Sequence, residues 1–193
     1  MAVLPAHAHH AMGGETPQTA LEGFISGLAH PVIGLDHFAV VVAIGLLATL
    51  KQRGFVIPLG FVLTSLLGTG LHLMGMDLPI AELVIAASVL LVGVFLALKQ
   101  TPALVAIATA AAIAGLFHGY AYGEAIVGAG MSPLVAYLAG FTLTQLGVAA
   151  IAAWIGRAIV QRVPDQPVAT LRHIGFVLCG VGATFLSFVL LNA

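Results

Sequence analysis

The chain has 193 residues, 61% of them hydrophobic and 7% charged, with a formal net charge of −1 and a single cysteine. A soluble domain carries roughly 25% charged residues, and a chain this apolar has too little polar surface to face water. That excludes a soluble globule, a basic nucleic-acid binder, an internal disulfide framework and a CxxC metal site.

The first eight residues end in a small-x-small pattern, Ala6-His7-Ala8, followed by His9 and His10. They read as the remnant of a secretory signal peptide whose basic region and apolar stretch are missing. The alternative is a disordered tail. On the signal reading the mature chain starts near His9 on the non-cytoplasmic side, where His9 and His10 are candidates for first metal capture. Residues 9–30 then form a periplasmic tail and a short helix. Leu21, Phe24, Ile25 and Leu28 fall at helical spacing, which predicts an amphipathic helix on the membrane surface. Residues 31–193 form the transmembrane domain.

A bilayer core of roughly 30 Å needs about 20 apolar residues per helix. Six stretches qualify: 31–50, 55–74, 79–98, 102–122, 133–156 and 173–191. The expected fold is an all-α bundle of six transmembrane helices, and the short connections predict that consecutive helices run antiparallel and pack as neighbours. Lys51, Arg53, Lys99, Arg157, Arg162 and Arg172 are all the basic residues, and all fall on one side. The positive-inside rule makes that side cytoplasmic and both termini periplasmic. Trp154 is expected at the inner interface. Cys179 is expected to be a small packing residue. No sequence repeat is visible; an inverted repeat of two three-helix halves is left open.

The other histidines and carboxylates of the spans cluster toward the outer side, except His173, which sits on the inner side next to Arg172. His30, Asp36 and His37 lie in the outer half of the first span, His72 at the outer end of the second, and Glu82 at the start of the third. His118 and Glu124 lie at the outer end of the fourth. At 1.5 Å per residue, Asp36 and His37 are roughly 20 Å above the inner end of their helix. Ionisable groups at membrane depth are expensive and mark ion or substrate pathways. Asp36 counts most, since a carboxylate in mid-helix has little structural reason to be there. Imidazole with carboxylate suits a borderline divalent metal such as nickel, cobalt, zinc or copper(II), and Met74 and Met76 beside His72 keep copper(I) open. Taken singly, each residue has an ordinary reading, such as His30 capping a helix end or Glu82 favoured by a helix dipole. Their shared depth argues for one site.

At these residues the chain resembles the HupE/UreJ family of nickel and cobalt permeases. The first family signature, a His, five residues, then Asp-His, reads His30 to Asp36-His37. The second reads Phe117-His118-Gly119-Tyr120-Ala121-Tyr122-Gly123 and then Glu124, with Tyr122 where the family usually has a second His. The resemblance implies uptake of nickel, or cobalt, and metal handling by His30, Asp36, His37, His118 and Glu124. His72 and Glu82 come from the depth argument alone. Neutral Tyr is a poor ligand, so Tyr122 puts the family's affinity or metal choice in doubt.

The expected function is a permease in the bacterial inner membrane, not an enzyme. It has no permanently bound cofactor; the metal is cargo. No Gly-Lys-Ser/Thr phosphate loop is present. The membrane potential can drive a divalent cation inward with about 4.6 kcal/mol per 100 mV. The inner half of the path is expected to be lined by Thr64, Ser65, Thr142, Thr144 and Gln145. The rivals are an intramembrane zinc hydrolase and a metal-binding accessory subunit. The expected partners are the metal ion and the lipid bilayer; a homo-oligomer is left open.

Overall fold

The computed structural model describes residues 15–162 and 167–192, so His9, His10 and the proposed signal remnant lie outside the described residues. The described residues form seven α-helices: α1 Ala20–Ile33, α2 Leu35–Thr49, α3 Val56–Leu73, α4 Ala81–Ala97, α5 Leu104–Glu124, α6 Met131–Arg162 and α7 Pro167–Asn192. No strand occurs among the described residues. Four helices (α3, α5, α6 and α7) are long and apolar enough to cross a membrane, and α1 with α2, bent by 77°, makes a fifth candidate. α4 is apolar but has 17 residues, about 25 Å at 1.5 Å per residue. The chain is a multi-pass helical membrane protein. Large apolar side chains such as Val105, Leu63 and Val177 are more than half exposed, which requires lipid around the bundle.

The helices do not pack mainly with their sequence neighbours. The most extensive contacts are α3 with α5, α4 with α7, and α1 and α2 with α6. This corrects the expectation drawn from short connections. In lipid, apolar burial does not drive helices together, so close approach depends on where small residues face each other. A methyl at Gly115 would strike the Phe61 carbonyl, one at Gly119 the Ser65 carbonyl, and one at Gly68 the Leu116 carbonyl. Those contacts advance in the same direction along both chains, so α3 and α5 run parallel. By the same test Gly23 meets Pro133, Gly27 meets Tyr137, Gly45 meets Ala149 and Gly156 meets Thr49. α1 and α2 therefore run in the same direction as the 32-residue α6, packed one after the other along it. Gly93 against Cys179, Gly175 against Ala97 and Gly182 against Leu90 make α4 and α7 antiparallel, with Cys179 packed into that contact.

α1 starts with a capping box: Thr19 Oγ1 accepts from the Glu22 N–H (3.2 Å), and the Glu22 carboxylate accepts from the N–H groups of Thr19 and Gln18. This Thr-x-x-Glu pattern is a helix-start signal readable in sequence. Of the expected apolar stripe, Leu21, Ile25 and Leu28 are on the exposed side of α1 and Phe24 is half-buried. Its buried side is Gly23, Ser26, Gly27 and His30, the small residues that let α1 lie against α6. α1 continues past Pro31 and stops at Gly34, so the helix break falls three residues later than the proline alone predicts.

Candidate metal site

The site is built on the break between α1 and α2. Pro31 has no N–H for the helix ladder, and Gly34 is extended, at φ −72° and ψ 100°. A Cβ at Gly34 would lie 2.6 Å from His37 Cδ2 and 3.3 Å from Asp36 Oδ1. The first turn of α2 thus folds its side chains back over the break. A break leaves the last carbonyls of one half-helix and the first N–H groups of the next without ladder partners. Asp36 Oδ1 accepts one of these, the His37 N–H, at 2.8 Å. Asp36 is therefore a first-turn carboxylate at the positive end of a half-helix, which corrects the mid-helix expectation and supplies its structural reason.

His37 and His118 meet in the buried interior, with Nδ1 to Nδ1 at 2.6 Å. The proton order follows from α4. Ser88 Oγ donates to the Ile85 carbonyl at 2.7 Å, which uses its only proton. It must therefore accept from His118 Nε2, 2.9 Å away. His118 Nδ1 is then the acceptor, and His37 Nδ1–H donates to it, so the lone pair of His37 is on Nε2. The same logic applies to His30. Tyr137 Oη donates to the Tyr122 carbonyl at 2.8 Å and so accepts from His30 Nδ1–H at 3.1 Å. His30 also carries its lone pair on Nε2. Outer partners that fix tautomer and ring orientation in this way are what metal-binding imidazoles need. Ser88 and Tyr137 escape a motif search; for Ser88 the visible signal is that it carries the one hydroxyl of α4.

The rings of His30 and His37 are 5.8 Å apart. Two imidazoles sharing one ion at metal–nitrogen distances of about 2.0–2.1 Å have centroids roughly 5 Å apart, so the pair is close to that spacing. Tyr122 packs edge-on to His30 at 5.0 Å and against His37 at 4.6 Å. Its ring is fully buried, and its hydroxyl has no hydrogen-bond partner among the described residues. Tyr122 thus stands among the imidazoles where a second His would be.

A cavity of about 340 Å³ opens onto this cluster, lined by His30, Gly34, Asp36, His37, Glu82 and Glu124, with Phe185 and Phe188 of α7 as a wall. Glu82 and Glu124 are exposed, Asp36 is half-buried, and His30 and His37 are buried. The cavity therefore grades from exposed carboxylates to buried imidazoles, with His118 behind His37. His72 is not part of it. It packs on Tyr120 at 4.5 Å and against Gly123, at the α3–α5 contact. Met74 and Met76 are exposed and do not line the cavity. Among the described residues no three His, Cys, Asp or Glu groups stand close enough to hold an ion together.

Of the residues expected to line the inner half, three spend their hydroxyl protons on carbonyls. Thr64 donates to Gly60 and Phe61, Ser65 to Phe61, and Thr144 to Leu28. Gln145 differs. It is fully buried, and neither its Oε1 nor its Nε2 has a partner among the described residues. His37, Val41 and Gly45 share one face of α2, and Gly45 lies on Ala149. Because α2 and α6 run in the same direction, Val41 comes level with Gln145, which lies about 6 Å along the helices from His37 toward the end that carries Lys51 and Arg157.

The chain matches the family described as HupE / UreJ protein over residues 1–185. It is 34% identical over 176 residues to Protein HupE of Rhizobium leguminosarum bv. viciae, covering 86% of this chain and 88% of that protein. No solved structure matches it.

Proposed function

We propose that this chain, which belongs to the HupE/UreJ family, is an inner-membrane permease that takes up a divalent transition metal ion, nickel or cobalt. In this reading α1–α2 is one broken span, α4 is a short span, and six spans place both termini in the periplasm with the basic residues inside. The observation that carries the proposal is the broken helix. Transporters use discontinuous helices to present side chains and half-helix ends to an ion near mid-membrane, and here His30, Asp36 and His37 flank such a break beside a cavity. The cavity's three carboxylates, Asp36, Glu82 and Glu124, attract a cation before the imidazoles bind it. His30 and His37 then supply imidazole nitrogens, a donor type suited to nickel and cobalt. The Gln145 amide is the next polar group inward.

The packing supports alternating access. Exchanging α1–α2, α3 and α4 for α5, α6 and α7 maps the principal pairs onto one another: α3·α5 becomes α6·α1–α2, and α4·α7 maps onto itself. That is the contact pattern of an inverted repeat.

The test is radiolabelled nickel uptake by cells expressing Asp36→Asn, His37→Ala or the control Lys99→Gln. The two site variants are expected at the empty-vector level and the control near wild type. Wild-type uptake by either site variant would refute the site, and absence of flux from purified wild-type protein in liposomes would refute transport.

A further inference from the structure

A second cavity, about 650 Å³, lies at the opposite end of the bundle from the histidines, between the 51–54 turn and α6. Its polar lining is dominated by Lys51, Arg53 and Arg157, and it includes no Asp or Glu. Its apolar lining includes Leu59 and Leu146, both exposed on the outside of the bundle. The cavity therefore has a cationic floor at the membrane surface and an apolar wall that continues along the lipid-facing sides of α3 and α6. Nothing in the metal path uses it.

The backbone that carries the cations is held in place. Gly156 packs on Thr49, which brings Arg157 beside the turn, and a methyl at Gly54 would strike the Ala48 carbonyl, which presses the turn onto the end of α2. Lys51 Nζ donates to the Thr101 carbonyl at 3.1 Å and keeps two further N–H donors. Arg53 has φ 58°, a left-handed conformation uncommon for a residue other than glycine. Such conformations persist where the surroundings over-determine them, and they cluster at ligand clamps.

We propose that this cavity binds the phosphate headgroup of an anionic phospholipid from the inner leaflet, with one acyl chain along Leu59 and Leu146. Three cations in a lining without Asp or Glu suit a phosphodiester, and basic pockets between helices on the cytoplasmic side are suited to acidic headgroups. The apolar wall selects a lipid over free phosphate, because a free anion leaves that wall unused.

The chain contains one tryptophan, Trp154. It is exposed, and on α6 it shares a face with Ala150 and Arg157, two residues of the cavity lining. Its fluorescence therefore reports on lipid at the cavity. Full-length protein is reconstituted in phosphatidylcholine vesicles carrying a minor fraction of brominated phosphatidylglycerol or brominated phosphatidylcholine. Quenching is expected to favour the glycerol lipid, and Arg53→Gln or Arg157→Gln to weaken that preference about fivefold each. Arg162→Gln, the same charge change outside the cavity, is expected to leave it intact. The proposal is overturned if both lipids quench equally, if all three variants act alike (a general surface potential), or if inorganic phosphate abolishes the preference (a free-anion site).

Discussion

Gln145 offers the sharpest separation of folding from function. Its side chain is fully buried, and both amide atoms lack partners among the described residues. A buried amide without hydrogen bonds costs about 1–3 kcal/mol in protein mutational data. Leucine has nearly the same volume and no polar atoms, so Gln145→Leu should remove that penalty and stabilise the fold by roughly 1–3 kcal/mol. If the amide receives the ion about 6 Å inward of His37, the same change should slow uptake tenfold or more, the equivalent of about 1.4 kcal/mol. The assay pairs thermal unfolding of purified protein with nickel uptake by cells at matched expression. Stability should rise while transport falls. A loss of stability with Gln145→Leu would mean that the amide is bonded into the fold, and unchanged uptake would mean that the ion does not pass it. Either result refutes the reasoning.

Tyr137→Phe removes the hydroxyl that joins His30 Nδ1 to the Tyr122 carbonyl. It should lower metal affinity by about 10–100-fold, the usual effect of losing an outer-shell partner, as read by calorimetric titration with nickel. Tyr122→His replaces a buried phenol with an imidazole between His30 and His37. It should tighten nickel binding in the same titration; weaker binding would show that the ring serves packing alone. Gly119→Ala places a methyl against the Ser65 backbone, whereas Gly60→Ala meets nothing within 4 Å. The first should destabilise by about 1–3 kcal/mol and the second stabilise by about 0.5–1 kcal/mol, measured by thermal unfolding.

Membrane class, helical content and the grouping of the six basic residues at one end of the helices were legible in the sequence, because each is a local property. Hydropathy sums over about 20 residues, and a charge on a short loop reports its side without reference to any partner. Of the seven residues named for the metal, five, His30, Asp36, His37, Glu82 and Glu124, line one cavity. His118 lies directly behind, bonded to His37. Depth alone could not separate His72, because depth says how far along a helix a residue lies and nothing about which way its face turns. His72 faces Tyr120 across the α3–α5 contact.

Only the tertiary structure decided which helices pair. Gly23, Gly27, Gly45 and Gly156 carry no mark in sequence that directs them to the α1–α2 and α6 contact; that depends on two surfaces being smooth at matching heights. The Gly34 break is local but was not legible either: Pro31 weakens the ladder, yet the helix ends only at Gly34, where the Asp36 and His37 side chains, two and three residues on, fill the space a Cβ would take. The hydroxyls of Ser88 and Tyr137 became readable as tautomer locks only when α4 and α6 brought them within 3.1 Å of ring nitrogens on other helices. The composition of a membrane helix determines that it enters the bilayer, and the shape of its small-residue face determines what it meets there.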